Sequence, residues 1–120
     1  ETLFLSDVTL AEIRFGIEQL TDPGRRADLT LWLDRTLRPL FEGRILAIDE
    51  DVILRWKMLH VAGRKRGHTF SQPDLFIAAI AAVGSLVVVS RDTREFIAAD
   101  VPVFDPWSET LHARGRSAVV

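Results

Sequence analysis

The chain contains no cysteine. That excludes disulfides and thiolate zinc sites and makes the cytoplasm the default expected location. An excess of positive charge is also lacking: 15 Lys and Arg stand against 17 Asp and Glu, for a net charge of -2. A bulk electrostatic grip on nucleic acid is therefore excluded, and any RNA or DNA contact has to come from a local patch. No apolar run is long enough to make a membrane a partner. The longest, Leu75 to Val89, is broken by Gly84-Ser85 and falls short of the roughly 20 residues a bilayer demands. There is no charged-then-apolar leader at the start, no glycine-rich phosphate loop, no Ser-His-acid set, no internal repeat and no low-complexity segment.

What is there is enough for one domain with a substantial core: 120 residues, 48% hydrophobic and 27% charged. Glu1 to Ser6 reads as a strand already under way, with no initiator Met, as in a fragment or a processed piece. Apolar residues at Ile13, Ile17 and Leu20 then predict a helix over Thr9–Leu20. Thr21-Asp22-Pro23-Gly24 interrupts it, and a second amphipathic helix is expected from Arg25 to Leu40. A strand over Arg44–Ile48, a helix over Asp49–Arg66 and a loop over Gly67–Pro73 follow. The Asp74 helix comes next, then a strand over Leu86–Ser90, a short helix over Thr93–Ala99 and a strand over Val101–Phe104. The domain is placed at 1–107, with 108–120 a frayed tail.

The Leu86–Ser90 strand is apolar on both faces, as strands of a parallel sheet covered by helices are. Alternation of strands and helices gives the class: α/β, with a mainly parallel sheet. In such a sheet, helix N-termini gather at the edge where the strands end, and ligands bind there. Glu12, Asp74, Asp92 and Glu95 all fall near predicted helix starts. Grouped carboxylates repel one another, and a hard cation such as Mg²⁺ or Mn²⁺ relieves that repulsion. Helix capping is the competing explanation, because Thr9-x-x-Glu12, Ser71-x-x-Asp74 and Asp92-x-x-Glu95 each fit a capping box and the helix dipole favours acids in any first turn. Singly, each acid reads more readily as a cap; together, a shared acidic site is favoured.

His60, His68 and His112 show no ligand spacing and read as surface or capping residues. Trp32 and Trp56 read as core or interface residues. Arg64-Lys65-Arg66 is either a solvated helix end or a clamp on a phosphate backbone.

Three segments carry a family resemblance: Leu5 to Gly16, Asp74-Leu75-Phe76-Ile77-Ala78-Ala79, and Ser90-Arg91-Asp92-Thr93-Arg94-Glu95-Phe96. They resemble the PIN domain, and more narrowly the VapC/FitB-like toxins of bacterial type II toxin–antitoxin pairs. Val101 to Trp107 extends the likeness. The resemblance implies a PIN-like α/β/α sandwich and a metal-dependent ribonuclease. It implies that Glu12, Asp74 and Asp92 hold Mg²⁺ or Mn²⁺, that Glu95 stands where the family often has Asp, and that Ser90 supports the site. It also implies a homodimer, inhibition by a cognate antitoxin, and contact with operator DNA only through that antitoxin.

One departure stands out. In the family a first strand, ending in Asp-Thr-Asn, supplies a further metal-binding Asp and lies in the middle of the sheet; this sequence does not contain it, and the expectation is that about 30 residues were either lost upstream or belong to another chain. The expectation is that this strand remains associated or that something else takes its place, since a central gap leaves backbone groups unpaired. Without any replacement the species should be poorly active. The leading expectation is an endoribonuclease toxin. The other is a catalytically weak binding module that dimerises and holds a DNA-binding antitoxin. A receiver-like phosphotransfer domain is disfavoured by the lack of paired acids after a first strand.

Overall fold

Ser6 ends the first strand and starts the first helix. In the computed structural model, which describes residues 2–108, 110–111 and 118–119, strand β1 (Leu3–Ser6) passes directly into helix α1 (Asp7–Glu18). The Ser6 hydroxyl accepts a hydrogen bond from the Thr9 backbone N–H at 3.1 Å. This satisfies a donor that has no partner within the helix, so the helix begins at Asp7 rather than at the expected Thr9. Asp22 caps α2 (Pro23–Trp32) in the same way, accepting from the Gly24 N–H at 3.0 Å.

The single helix expected over Arg25–Leu40 is interrupted. A π-helical turn at Leu33–Leu37 separates α2 from α3 (Arg38–Leu40). Pro39 supplies the physical reason: its ring crowds the carbonyl four residues back and it has no N–H to donate, so a wider turn upstream takes up the mismatch. Strand β2 (Ile45–Leu46) follows, then α4 (Glu50–Lys65), α5 (Gln72–Gly84), β3 (Val87–Val89), α6 (Arg94–Ala98) and β4 (Val103–Asp105). Their order is the one the sequence predicts, with ends moved by one or two residues.

The C-terminal region departs from expectation. In place of a frayed tail, it supplies β5 (Thr110–Leu111) and β6 (Ala118–Val119); His112 and Arg114–Ser117 lie outside the described residues. The sheet order is β2-β1-β6-β3-β4-β5, and among the described residues only β5 runs antiparallel. Strand β6 thus occupies the centre. Ala118 pairs with Leu3 and Val87, and Val119 with Phe4 and Val88. The central gap anticipated from the family pattern is filled by the end of the same chain.

Helices cover both faces of this sheet. Phe4 packs with the cluster formed by Leu75, Ala78, Ala81, Val88, Phe96, Val103 and Val119. Its neighbour Leu5 packs with Leu10, Ile17, Leu33 and Phe41. Successive strand residues point to opposite sides, so the two clusters lie on opposite faces and the layers are helix, sheet, helix. Helix α5 is the buried one, and its alanines let it lie close to the strands.

Gly63 shows how tightly α4 meets the loop that leads to α5. A Cβ there would stand 2.5 Å from Phe70 Cε2 and 3.1 Å from the His68 carbonyl oxygen, and Phe70 is itself buried. Gly→Ala inside a helix normally gains about 1 kcal/mol, whereas overpacking a core costs about 1–3 kcal/mol. The contact wins here. Gly63→Ala is expected to lower the midpoint of thermal unfolding by several degrees; a raised midpoint would show that Phe70 yields freely.

Candidate active site

Four acids were expected to meet at one sheet edge. Because β1 and β3 are parallel, the start of α1, the loop after β3 and the first turn of α6 all lie at the edge where these strands end. Helix α5 leads back into β3, so its first turn lies at that edge too. Asp74 sits in the first turn of α5 and Glu95 in the first turn of α6. Asp92 occupies the loop between β3 and α6. Glu12 is the exception. Since Ser6 starts the helix, Glu12 lies in the second turn of α1 rather than at its beginning.

None of the three capping boxes forms. Ser6, not Thr9, caps α1. Ser71 makes no side-chain cap on α5; its hydroxyl instead donates to Asp74 Oδ2 at 2.9 Å. The residue at the cap of α6 is Thr93, again without a side-chain bond, and Asp92 lies outside the helix. None of these carboxylates is engaged in a reciprocal helix cap. Glu12 and Asp92 are exposed, whereas Asp74 and Glu95 are half-buried. Ser90 Oγ donates to the Asp92 carbonyl oxygen at 3.0 Å, which fastens the loop that carries this acid.

The edge is shared, but the side chains are not drawn into one cluster. Among the described residues, no three His, Asp or Glu side chains are placed to hold a metal ion together. The chemistry of the donors nevertheless suits a hard cation, for all are carboxylate oxygens. Mg²⁺ commonly keeps several waters and takes only one or two carboxylates plus a substrate phosphate, so a closed three-acid cage is not required of such a site.

Two neighbours of the edge carry no local sequence signal of their place there. His68 Nε2 lies 3.3 Å from Glu95 Oε2, and its ring meets Phe70 edge-on at 4.4 Å between centroids. The sequence around His68 suits a surface or capping residue, and nothing local announces a partner 27 positions away. Asp105 closes β4 at the same edge. Its carboxylate accepts from the Trp107 N–H at 2.9 Å, and the Arg91 guanidinium lies over the Trp107 ring at 5.4 Å. Desolvation pushes the Asp105 carboxyl upward, but the bonds from Trp107 and Ser108 and the nearby Arg91 charge outweigh it and hold it below the ordinary carboxylate range.

The remaining candidates resolve differently. Arg66 Nη2 donates to the Ala98 carbonyl oxygen at 2.6 Å, tying the end of α4 to α6; Arg64 and Lys65 stay exposed in the last turn of α4. Trp56 stacks between His60 and Phe76 and donates to Gln72 Oε1 at 3.1 Å. Trp32, expected in a core or interface, is exposed. Among the described residues, no helix is long and apolar enough to cross a membrane.

The family model of the PIN domain matches residues 1–102 of this chain. Toxin FitB of Neisseria gonorrhoeae is 38% identical over 109 residues, covering 91% of this chain and 78% of that protein. VapC ribonuclease Y4jK of Sinorhizobium fredii is 34% identical over 107 residues, covering 89% of this chain and 76% of that protein. Among solved structures, FitAcB from Neisseria gonorrhoeae superposes with a TM-score of 0.83 at 39% identity, over 87% of this chain and 75% of that one. FitAB bound to an IR36 DNA fragment gives a TM-score of 0.83 at 36% identity, over 92% and 77%. With this fold, these motifs in this order and relatives of this identity, the chain belongs to the PIN domain family, among relatives that are FitB and VapC toxins of toxin–antitoxin systems.

Proposed function

We propose that this protein is a metal-dependent endoribonuclease toxin in which Asp74, Glu12 and Asp92 hold Mg²⁺ or Mn²⁺ at the edge where β1 and β3 end. The observation that carries this reading is the freedom of these three acids from helix capping, on three separate elements that share one sheet edge. A bound divalent ion supplies a Lewis acid for the phosphodiester and lowers the pKa of a water ligand. The protein's own contribution is positioning. Ser71 fixes the Asp74 carboxylate, Ser90 fixes the Asp92 loop, and His68 fixes Glu95. The RNA is the substrate, and the protein works in the cytoplasm as a homodimer restrained by a cognate antitoxin. FitAB itself has been solved on DNA; here operator DNA is met only through the antitoxin.

Metal removal tests the chemistry. Cleavage of RNA by the purified protein is expected in Mg²⁺, to vanish with excess EDTA, and to return when Mn²⁺ is added. Cleavage that survives EDTA would reject metal dependence.

A second reading, a catalytically weak module that holds a DNA-binding antitoxin, draws on the ungathered acids. Calorimetric titration with Mn²⁺ separates the two. The nuclease reading expects a saturable site that Asp74→Asn abolishes, and a scaffold expects no specific heat.

A further inference from the structure

The loop after β3 and the residues after β4 meet at the sheet edge that carries the candidate acids. The Ser90 backbone N–H donates to the Phe104 carbonyl oxygen at 3.0 Å, and the Ser90 hydroxyl donates to the Asp92 carbonyl oxygen at 3.0 Å. Asp105 Oδ1 accepts from the Trp107 N–H at 2.9 Å, which turns the chain and sets the indole beside this loop. Arg91 precedes Asp92 in the loop, and its guanidinium lies over the Trp107 ring at 5.4 Å from the centroid.

Burial does not explain this indole. Trp56 is held by Phe76 and Gln72, whereas Trp107 is 68% exposed, the largest value among the exposed large hydrophobics of the described residues. Single exposed apolar side chains are ordinary, and a surface cation–π pair steadies a fold only slightly. What singles out Trp107 is its position. A π surface and a guanidinium stand together on segments tied by backbone hydrogen bonds, one residue from a proposed metal-binding acid. These are the groups with which proteins hold an unpaired nucleotide: the base stacks on the ring, and the phosphate meets the guanidinium. A net charge of -2 leaves RNA binding to local contacts of this kind.

We propose that Trp107 and Arg91 form a nucleotide subsite beside the acidic edge, in which one unpaired base of the RNA stacks on the indole and its phosphate is held by Arg91. This rests on the ribonuclease reading above and adds to it the side chains that seat the substrate. Stacking tolerates any base, and a duplex hides its base faces. The subsite therefore supplies a preference for single strands and a register relative to Asp92, not a base code.

Fluorescence anisotropy of a short labelled oligouridylate, in EDTA so that cleavage does not intervene, tests it. Trp107→Ala is expected to raise the Kd at least about fivefold, with a thermal midpoint within a few degrees of wild type. Trp107→Phe keeps an aromatic face and should recover most of the affinity. Arg91→Gln should weaken binding and flatten its salt dependence by a slope of about 0.7. An abasic ribose-phosphate oligomer of the same length should bind wild type and Trp107→Ala alike, since it offers nothing to stack. Equal oligouridylate Kd values for wild type and Trp107→Ala overturn the subsite; if the wild type still cleaves RNA, the nuclease reading survives. An equal loss with the abasic oligomer also overturns it and makes Trp107 a structural residue. Unchanged RNA binding with weakened capture of a protein partner overturns it by giving the surface to that partner. Trp107-dependent binding by a protein that cleaves nothing in Mg²⁺ supports the subsite and rejects the nuclease reading. Should Trp107→Ala lower the midpoint, Trp107→Phe decides: oligouridylate should quench its indole emission less than that of wild type, and an equal quench overturns the proposal.

Discussion

Asp74→Asn is expected to abolish metal-dependent RNA cleavage while leaving the fold in place. The substitution keeps the size of the side chain and an acceptor for the Ser71 hydroxyl, which now donates to Asp74 Oδ2 at 2.9 Å. What it removes is the negative charge at the start of α5. That charge is worth about 0.3–1 kcal/mol to the helix, a small fraction of a domain's stability. As a ligand it is worth far more, for a bound cation contributes several kcal/mol to a phosphoryl transition state, and each 1.36 kcal/mol is about tenfold in rate. Loss of a hundredfold or more in cleavage, with a thermal midpoint within a few degrees of wild type, is the expected pair of results. Asp28→Asn, an exposed acid on α2, should leave both unchanged. Full activity in Asp74→Asn would remove the central acid from the site and with it the nuclease assignment.

The second large effect concerns stability. Val119 is fully buried in the central strand and packs in the main core cluster. It pairs in register with Phe4 on one side and Val88 on the other. Val119→Ala is expected to cost about 1–3 kcal/mol through lost contact and a residual cavity. Val119→Asp puts a carboxylate into the middle of an apolar sheet, where an unpaired ion carries a penalty of several kcal/mol after relaxation. Against a typical stability of about 5–15 kcal/mol, that loss consumes much of the margin. The aspartate variant should therefore show a collapsed thermal midpoint and bind a hydrophobic dye, and the alanine variant a fall of several degrees. A Val119→Asp protein as stable as wild type would mean that β6 does not stand between β1 and β3.

These two experiments probe different parts of one edge. Strand β6 sits beside β1 and β3, whose ends carry α1 and the Asp92 loop. If the central strand leaves, the two flanking strands lose their shared neighbour, and Glu12 and Asp92 lose the framework that fixes their spacing. Val119→Ala, which keeps the fold, is therefore expected to leave cleavage nearly intact. A proportionate loss of cleavage in that variant would show that the acids depend on the exact seating of β6.

Much of this protein was legible in the order of its residues, and the reason is local. Apolar spacing fixes which segments are helices, the run from Leu86 to Val89 announces a strand buried on both faces, and Asp22-Pro23-Gly24 marks a break wherever it stands. The acids, too, could be named from their places beside predicted helix starts. The rest depended on contacts that no short window contains. Ser6 outcompeted Thr9 as a cap because β1 and α1 join without a loop, and Pro39 opened a π turn inside an otherwise regular helix. His68 became a partner of Glu95 only when the end of α4 was packed against α6. The assignment of Ala118–Val119 to the centre of the sheet lies furthest from the sequence. Two small apolar residues have no pattern of their own, and the place they take is decided by the unpaired backbone of β1 and β3 and the apolar slot between them.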